Sequence, residues 1–129
     1  MPALVQINQQ LQAYPTIATN YIRTGFTFAA IGTTALVTLA PQGIYRFSVY
    51  LVITTAQGSQ TVTINALFTD DQQAETIAVL NAVSTTAQGQ FNGSAIIENT
   101  STANNISFSL ATTATTAVGN FYIVVERLF

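Results

Sequence analysis

The run of residues 44–54 alternates strictly between two sets of side chains, and this alternation constrains the fold more than any other feature of the sequence. Successive side chains of a β-strand point to opposite faces of a sheet. One set is large and apolar, and it consists of Tyr45, Phe47, Val49, Leu51 and Ile53. The other set includes Tyr50 and Val52 among polar residues. Because a strand that is apolar on both faces is buried on both, we expect its second face to contact something beyond the core of the domain.

The same period of two recurs along the chain and predicts about eight strands, with Gly, Pro and Asn residues between them as turn residues. Even spacing and hardly any helix indicate an all-β protein, and we predict an antiparallel jelly-roll β-sandwich with an N-terminal arm. The pentapeptide Thr-Thr-Ala-Gln-Gly occurs twice, which we interpret as recurring turn chemistry. The first predicted strand begins near Gly25 and carries Phe26 and Phe28, and the others cover residues 35–40, 44–54, 61–69, 76–84, 91–98, 106–113 and 121–128.

The beginning of the chain has a different pattern. Leu4, Ile7 and Leu11 follow a helical spacing for a single heptad. We interpret residues 1–22 as an arm, partly helical or extended, and residues 23–129 as the jelly-roll domain. Since the arm carries apolar side chains, we expect these three residues to dock on a neighbouring molecule.

Only 6% of the residues are charged, and lysine is absent. Roughly a quarter of the residues of an average soluble protein are charged, and lysine commonly protects sheet edges from unwanted pairing. We therefore expect the edges to be hidden by closure of the sheets or by a partner, which favours a tight oligomer. The three arginines form no basic patch, so we expect no nucleic-acid partner. The apolar runs are too short to cross a bilayer as a helix, and no membrane insertion is expected.

The sequence lacks the side chains on which most catalytic and metal sites depend. Histidine and cysteine are absent, which excludes Ser-His-Asp and Cys-His arrangements and ordinary zinc or copper sites. The absence of lysine excludes Schiff-base chemistry, and no dinucleotide-binding glycine motif follows a predicted strand. We therefore expect a protein that is not an enzyme and that has no catalytic residue, metal or cofactor.

Asp70, Asp71 and Glu75 cluster where the strand predicted at residues 61–69 ends. Such a group could hold calcium or act as a glycosidase-like pair of carboxylates. It could equally be a solvated turn in which an aspartate bonds its own backbone. Because no complete cation-binding motif surrounds the acids, we favour the turn and keep the cluster as a candidate polar loop site.

Arg46 and Arg127 lie within otherwise apolar strands. Each could face solvent, or it could form a buried or interfacial pair with Glu126 or Glu98 of the same or another subunit. Both interpretations remain open at this point.

Two segments resemble strands of tumour-necrosis-factor-like and complement-type globular heads. Residues 43–49 resemble their glycine-x-tyrosine-x-phenylalanine strand, and residues 119–125 resemble their final strand. That family forms trimers in which these two strands lie near each other and contribute aromatic side chains to the three-fold interface. The residues that the resemblance implies at this oligomer interface are Tyr50, Val52, Tyr122 and Val124.

The chain is also similar to the small Thr- and Ala-rich structural proteins of tailed-phage particles, including capsid decoration and tail or fibre proteins. The sequence shows no collagen-like stalk, membrane anchor or cysteine, unlike animal cytokine and complement proteins. The resemblance implies a homotrimeric, non-enzymatic structural protein located on the virion, where it decorates or reinforces the particle surface beside other virion proteins. The alternative is a tail or fibre module that binds a host receptor or glycan through the polar loops at residues 70–75 and 99–105.

Overall fold

The computed structural model describes residues 15–129, which form eight strands. The strands form two four-stranded sheets, sheet A in the order β1-β8-β3-β6 and sheet B in the order β2-β7-β4-β5. None of the described residues forms a helix that is long and apolar enough to cross a membrane. The strands are β1 (Thr16–Thr27), β2 (Ile31–Val37), β3 (Gly43–Thr55), β4 (Thr61–Asp70), β5 (Gln73–Ser84), β6 (Gly89–Asn99), β7 (Ile106–Thr112) and β8 (Val118–Arg127).

The pairing of the strands follows a simple rule. The pairs β1–β8, β2–β7, β3–β6 and β4–β5 are all antiparallel neighbours, as though one long hairpin with its tip between β4 and β5 had been wrapped into two sheets. The pairs β3–β8 and β4–β7 then join these units side by side. This is the strand order of a jelly roll, so the predicted fold is confirmed.

The core lies between the two sheets and takes one face of each central strand. The five inward side chains that the alternation predicts in β3 are all at most 2% exposed. Phe121, Ile123 and Val125 of β8 are also buried, and Phe108 of β7 meets Phe121 with ring centroids 6.1 Å apart. Burial of each large apolar side chain stabilises the fold by about 1.5–3 kcal/mol, so these rows hold the two sheets together.

The start of β1 differs from the prediction. This strand begins at Thr16, well before Gly25, and pairs with β8 at the edge of sheet A. An edge strand has a single neighbour, and most of β1 is exposed, so its side chains show little of the alternation that marks a buried strand. Phe28 follows β1 instead of belonging to it, and its buried ring packs edge-on against Phe26 with centroids 5.9 Å apart.

The predicted arm is divided by the start of β1. Residues 16–22 pair with β8 and belong to sheet A. The docking residues Leu4, Ile7 and Leu11 lie outside the described residues, and their role stays a prediction.

The edges of β5 and β6 approach each other closely and close one side of the sandwich. A Cβ atom placed on Gly93 of β6 would lie 2.4 Å from the carbonyl oxygen of Val79 in β5. Glycine allows this contact because it has no side chain. The edges of β5 and β6 therefore cover each other. Closure of the sheets is one of the two ways of hiding edges that the composition predicted.

Candidate functional site: the outer face of sheet A

Tyr50 and Tyr122 lie on the two central strands of sheet A, on the face that points away from the core. They are partners in the β3–β8 register, and their ring centroids are 5.9 Å apart at an angle of 39°. Val52 and Val124 follow on the same faces of β3 and β8 and are partly exposed. The structure thus brings together on one surface the four residues predicted at an oligomer interface.

Three isoleucines extend this apolar surface to both edges of the sheet. Ile17 and Ile22 lie on β1 and Ile96 lies on β6, and each is more than half exposed. None of the three was predicted on this surface, and the first two fall in the predicted arm. Ile96 had a signal, since it precedes buried Ile97 and adjacent residues of a strand face opposite ways.

Arg46 lies on the same face and forms an ion pair with Glu126 of its own chain. The Nη1–Oε1 distance is 3.6 Å, and the side chains are 45% and 26% exposed. Arg46 is therefore both solvent-facing and paired. Arg127 instead donates hydrogen bonds to the carbonyl oxygens of Gln42 at 2.7 Å and Phe129 at 3.1 Å, which ties residues 127–129 to the β2–β3 loop.

A shallow hollow of about 360 Å³ lies beside the tyrosine pair. Its polar lining comes from Ser48, Asn92 and Ser94, and no charged side chain of the described residues lines it. Tyrosine combines a large apolar ring with a polar tip, which suits a surface that excludes water and still forms hydrogen bonds.

The outer face of sheet B has a different character. Asn65 Nδ2 donates to Ser109 Oγ at 3.3 Å, and Thr63 Oγ1 accepts a hydrogen bond from the backbone of Ala82 at 2.9 Å. These side chains are short and polar, and they are bonded within the chain. The surface suited to an apolar partner is therefore on sheet A.

Asp70, Asp71 and Glu75 all belong to the hairpin that joins β4 to β5. Asp71 and Gln72 have φ angles of 47° and 63°, as in a two-residue type I′ turn. Among residues 15–129, no three Asp, Glu, His or Cys side chains gather where they could hold a metal. Asp70 and Asp71 lie at the turn, and Glu75 lies within β5 opposite Phe68.

The two polar loops predicted as an alternative binding site meet at one end of the sandwich. The backbone N–H of Thr100 donates to the carbonyl oxygen of Thr69 at 2.9 Å, so the β6–β7 loop lies against the β4–β5 hairpin. A cleft of about 400 Å³ between them is lined largely by neutral amide and hydroxyl groups, including those of Gln42, Gln72 and Asn104.

At the opposite end, the two copies of Thr-Thr-Ala-Gln-Gly contact each other. The backbone N–H of Gln57 donates to Thr85 O at 2.8 Å, and Thr85 Oγ1 donates to Gln57 O at 2.6 Å. The side-chain Oε1 of Gln57 also accepts the backbone N–H groups of Thr115, Thr116 and Ala117 at 2.8, 2.8 and 3.1 Å. One side chain therefore joins the β3–β4 and β7–β8 loops, a role that no local sequence signal indicated.

Comparison with known proteins gives a likeness in structure. The sequence matches no protein-family model, and no curated protein matches it significantly. A chain of infectious bursal disease virus, Gx strain, matches 89% of this protein with a TM-score of 0.51 and 15% identity. The likeness shows the fold alone. This protein spans 31% of that virus chain.

Two further structures show weaker similarity. The vertex protein P5 of PRD1 matches with a TM-score of 0.47 and 14% identity, over 89% of this chain and 99% of that one. The CBM22-1–GH10 modules of Clostridium thermocellum xylanase 10B match with a TM-score of 0.47 and 15% identity, over 90% of this chain and 27% of that one.

The two segments that resemble tumour-necrosis-factor-like heads are neighbours in the structure. Residues 43–49 lie in β3 and residues 119–125 lie in β8, and these strands pair along their length. The jelly roll and the adjacency of the two strands that the resemblance implied are therefore present.

Proposed function

We propose that this protein is a non-enzymatic structural protein of a virion, which forms a homotrimer and decorates or reinforces the particle surface. The observation that carries the proposal is the set of exposed apolar side chains on the outer face of sheet A, with Tyr50 and Tyr122 on its central strands and isoleucines at both edges. The jelly-roll fold, which a chain of infectious bursal disease virus shares, is compatible with this role.

The partner of this face is another copy of the same chain. Four strands spaced by about 4.8 Å and about ten residues long give a face of roughly 600 Å², close to the ~800 Å² that each partner buries in a standard interface. Arg46 and Glu126 pair with each other on this face, so a neighbouring subunit that covers them need not supply a partner for either charge. The size of the face thus suits self-association.

A face of this kind is costly to leave in water. Monomeric proteins rarely expose continuous apolar patches larger than a few hundred Å². If a little over half of this area is apolar, as in a typical interface, its burial at about 25 cal/mol per Å² contributes on the order of 8 kcal/mol per subunit before ordering costs. Self-association therefore also accounts for the low charge of the surface.

The trimeric state is supported by the resemblance to tumour-necrosis-factor-like heads. Its two matching segments lie in β3 and β8, the strands that carry the tyrosine pair. Tyr50, Val52, Tyr122 and Val124 would then line the contact between subunits. In the same proposal, the chain before β1 docks on other virion proteins through Leu4, Ile7 and Leu11.

Light scattering of the purified protein tests the proposal. We expect a trimeric mass for the wild type and a monomeric mass for Tyr50→Glu and Tyr122→Glu, because a carboxylate in an apolar contact is desolvated without a partner. Ala111→Glu places the same charge on the outer face of sheet B, where Ala111 is exposed opposite Thr63, and should stay trimeric. A monomeric wild type would contradict the oligomer, and absence of the protein from purified particles would contradict the virion role.

A second function, recognition of a host glycan or receptor by a tail or fibre module, is favoured by the cleft between the two polar loops. Its neutral amide and hydroxyl groups suit a polar, uncharged ligand. Gln72→Ala and Asn104→Ala should then reduce binding of the isolated protein to host cells, while Ala111→Glu leaves it unchanged. Equal binding by all variants, or no binding, would contradict the recognition function and leave only the structural role.

A further inference from the structure

We propose that the end of the sandwich beside the β4–β5 hairpin holds a hard cation of the calcium type between Asp70 and Asn99. The Oδ1 atoms of both residues are buried, and neither accepts a hydrogen bond from any described residue. Buried polar atoms in proteins are nearly always paired, and an unpaired one costs roughly 1–3 kcal/mol, more for a charged group. Two such acceptors at one end of the fold therefore point to a missing electropositive partner.

The orientation of the Asn99 amide is set by its surroundings. Asn99 is 1% exposed, and its Nδ2 donates to the carbonyl oxygens of Ala40 at 3.0 Å and Ser101 at 2.9 Å, with that of Pro41 at 3.3 Å. A flipped amide would turn Oδ1 toward three acceptors, which cannot donate to it. Oδ1 is therefore the atom directed away from this cluster, and it requires a donor or a cation.

Asp70 and Asn99 are each adjacent in sequence to a residue of one backbone hydrogen bond between the sheets. Asp70 follows Thr69 and Asn99 precedes Thr100, and the N–H of Thr100 donates to the carbonyl of Thr69 at 2.9 Å. Asp70 is also two residues after buried Phe68, so it has the inward parity of β4. The two side chains therefore flank one hydrogen bond between the sheets.

The chemistry of the two atoms selects the class of ligand. A carboxylate oxygen and an amide oxygen cannot donate to each other, and both are ligands that calcium takes together with water. Thr69 and Thr100 also line the polar cleft of about 400 Å³, which gives water and an ion a route to the site. The site is independent of the proposed oligomer, because it lies at the end of the sandwich and not on the outer face of sheet A.

Thermal unfolding of the full chain tests the inference. After treatment with a chelator, the protein is melted with calcium chloride, magnesium chloride or sodium chloride at equal ionic strength. Calcium at about one hundred times its Kd should raise the Tm of the wild type by about 8 °C. Asp71→Asn, at the adjacent exposed turn position, should keep the shift, and Asp70→Asn should lose it. No shift at about 10 mM calcium, a shift kept by Asp70→Asn, or one lost by Asp71→Asn would overturn the proposal.

Terbium luminescence provides a second readout if Asp70→Asn does not fold. The chain has no tryptophan, so tyrosine sensitises a bound terbium ion. Tyr45 donates to the Pro41 carbonyl at 2.7 Å, the same oxygen that Asn99 contacts, so its ring lies near the site. We expect luminescence that calcium displaces and that Asp71→Asn and Glu75→Gln leave unchanged. Absence of the signal in the wild type, or its loss in either control, would refute the site.

Discussion

Arg46 Nη1 lies 3.6 Å from Glu126 Oε1, across the central strands of sheet A and on the outer face that carries Tyr50 and Tyr122. In a single chain both groups keep part of their hydration, and a pair of this kind contributes about 0–1 kcal/mol to folding. When the face packs against another copy, both groups lose water, and each then depends on the other. Loss of one partner should therefore affect the stability of the assembly more than the stability of the single chain.

Replacement of Arg46 by leucine should weaken the trimer and barely affect the fold. We expect the association free energy to fall by about 2 kcal/mol or more, because Glu126 is left buried without a partner. The free energy of unfolding of the monomer, measured in the Tyr50→Glu background, should change by less than about 1 kcal/mol. Analytical ultracentrifugation and urea denaturation measure the two quantities.

The matched control is the double variant Arg46→Leu with Glu126→Leu. Replacement of both partners by apolar residues removes the unpaired charge, so the double variant should associate at least as well as the wild type. A double variant weaker than the single one would show that the ion pair itself holds the subunits together.

Gln57→Ala should destabilise the fold by about 1–3 kcal/mol, because three backbone N–H groups lose their common acceptor. Gln88→Ala is the control, since Gln88 occupies the same place in the other pentapeptide and its side chain donates one hydrogen bond, to Thr54 O at 2.7 Å. That change should cost about 1 kcal/mol or less. Urea denaturation compares the two variants, and equal losses would contradict the joining role of Gln57.

Gly93→Ala should destabilise the protein by about 1–3 kcal/mol, because the new methyl group would overlap the Val79 carbonyl and force β5 and β6 apart. Gly32→Ala on β2 meets no atom within 4 Å and should stay within about 0.5 kcal/mol of the wild type. Thermal unfolding of both variants checks the prediction, which fails if Gly93→Ala melts with the wild type.

Gln72→Gly should stabilise the fold by about 0.5–1 kcal/mol, because Gln72 has a φ of 63°, where an L-residue is strained and glycine is not. Thr76→Gly, within β5 of the same hairpin, should instead cost about 0.5–1 kcal/mol. Opposite signs in chemical denaturation support the type I′ turn, and a loss in both variants argues against it.

The two strands that the sequence located least well, β1 and β2, both lie at a sheet edge. β3 shows the full alternation because its inward side chains all face the core, and its predicted and observed bounds nearly coincide. β1 lies at an edge and shows little alternation, so its start was predicted near Gly25 instead of at Thr16. β2 was predicted at residues 35–40 and lies at Ile31–Val37, again at an edge.

The candidate site was predicted only in part. Tyr50 and Tyr122 were identified because each stands beside a valine on the outward side of an apolar strand, which is a local signal. Gln57 and Asn99 carry no such signal. Their importance comes from partners distant in sequence, such as Thr115 for Gln57 and Ala40 for Asn99.

The alternation of apolar and polar residues was sufficient to establish a two-layered antiparallel β-protein. A strand with one buried face alternates apolar and polar residues, so adjacent residues in the sequence are enough to reveal it. The choice of neighbours for each strand depends on contacts between distant segments, which a local period does not encode. The fold therefore had to show that β3 pairs with β8, that three isoleucines join the tyrosines on one face, and that the Oδ1 atoms of Asp70 and Asn99 are buried without a donor.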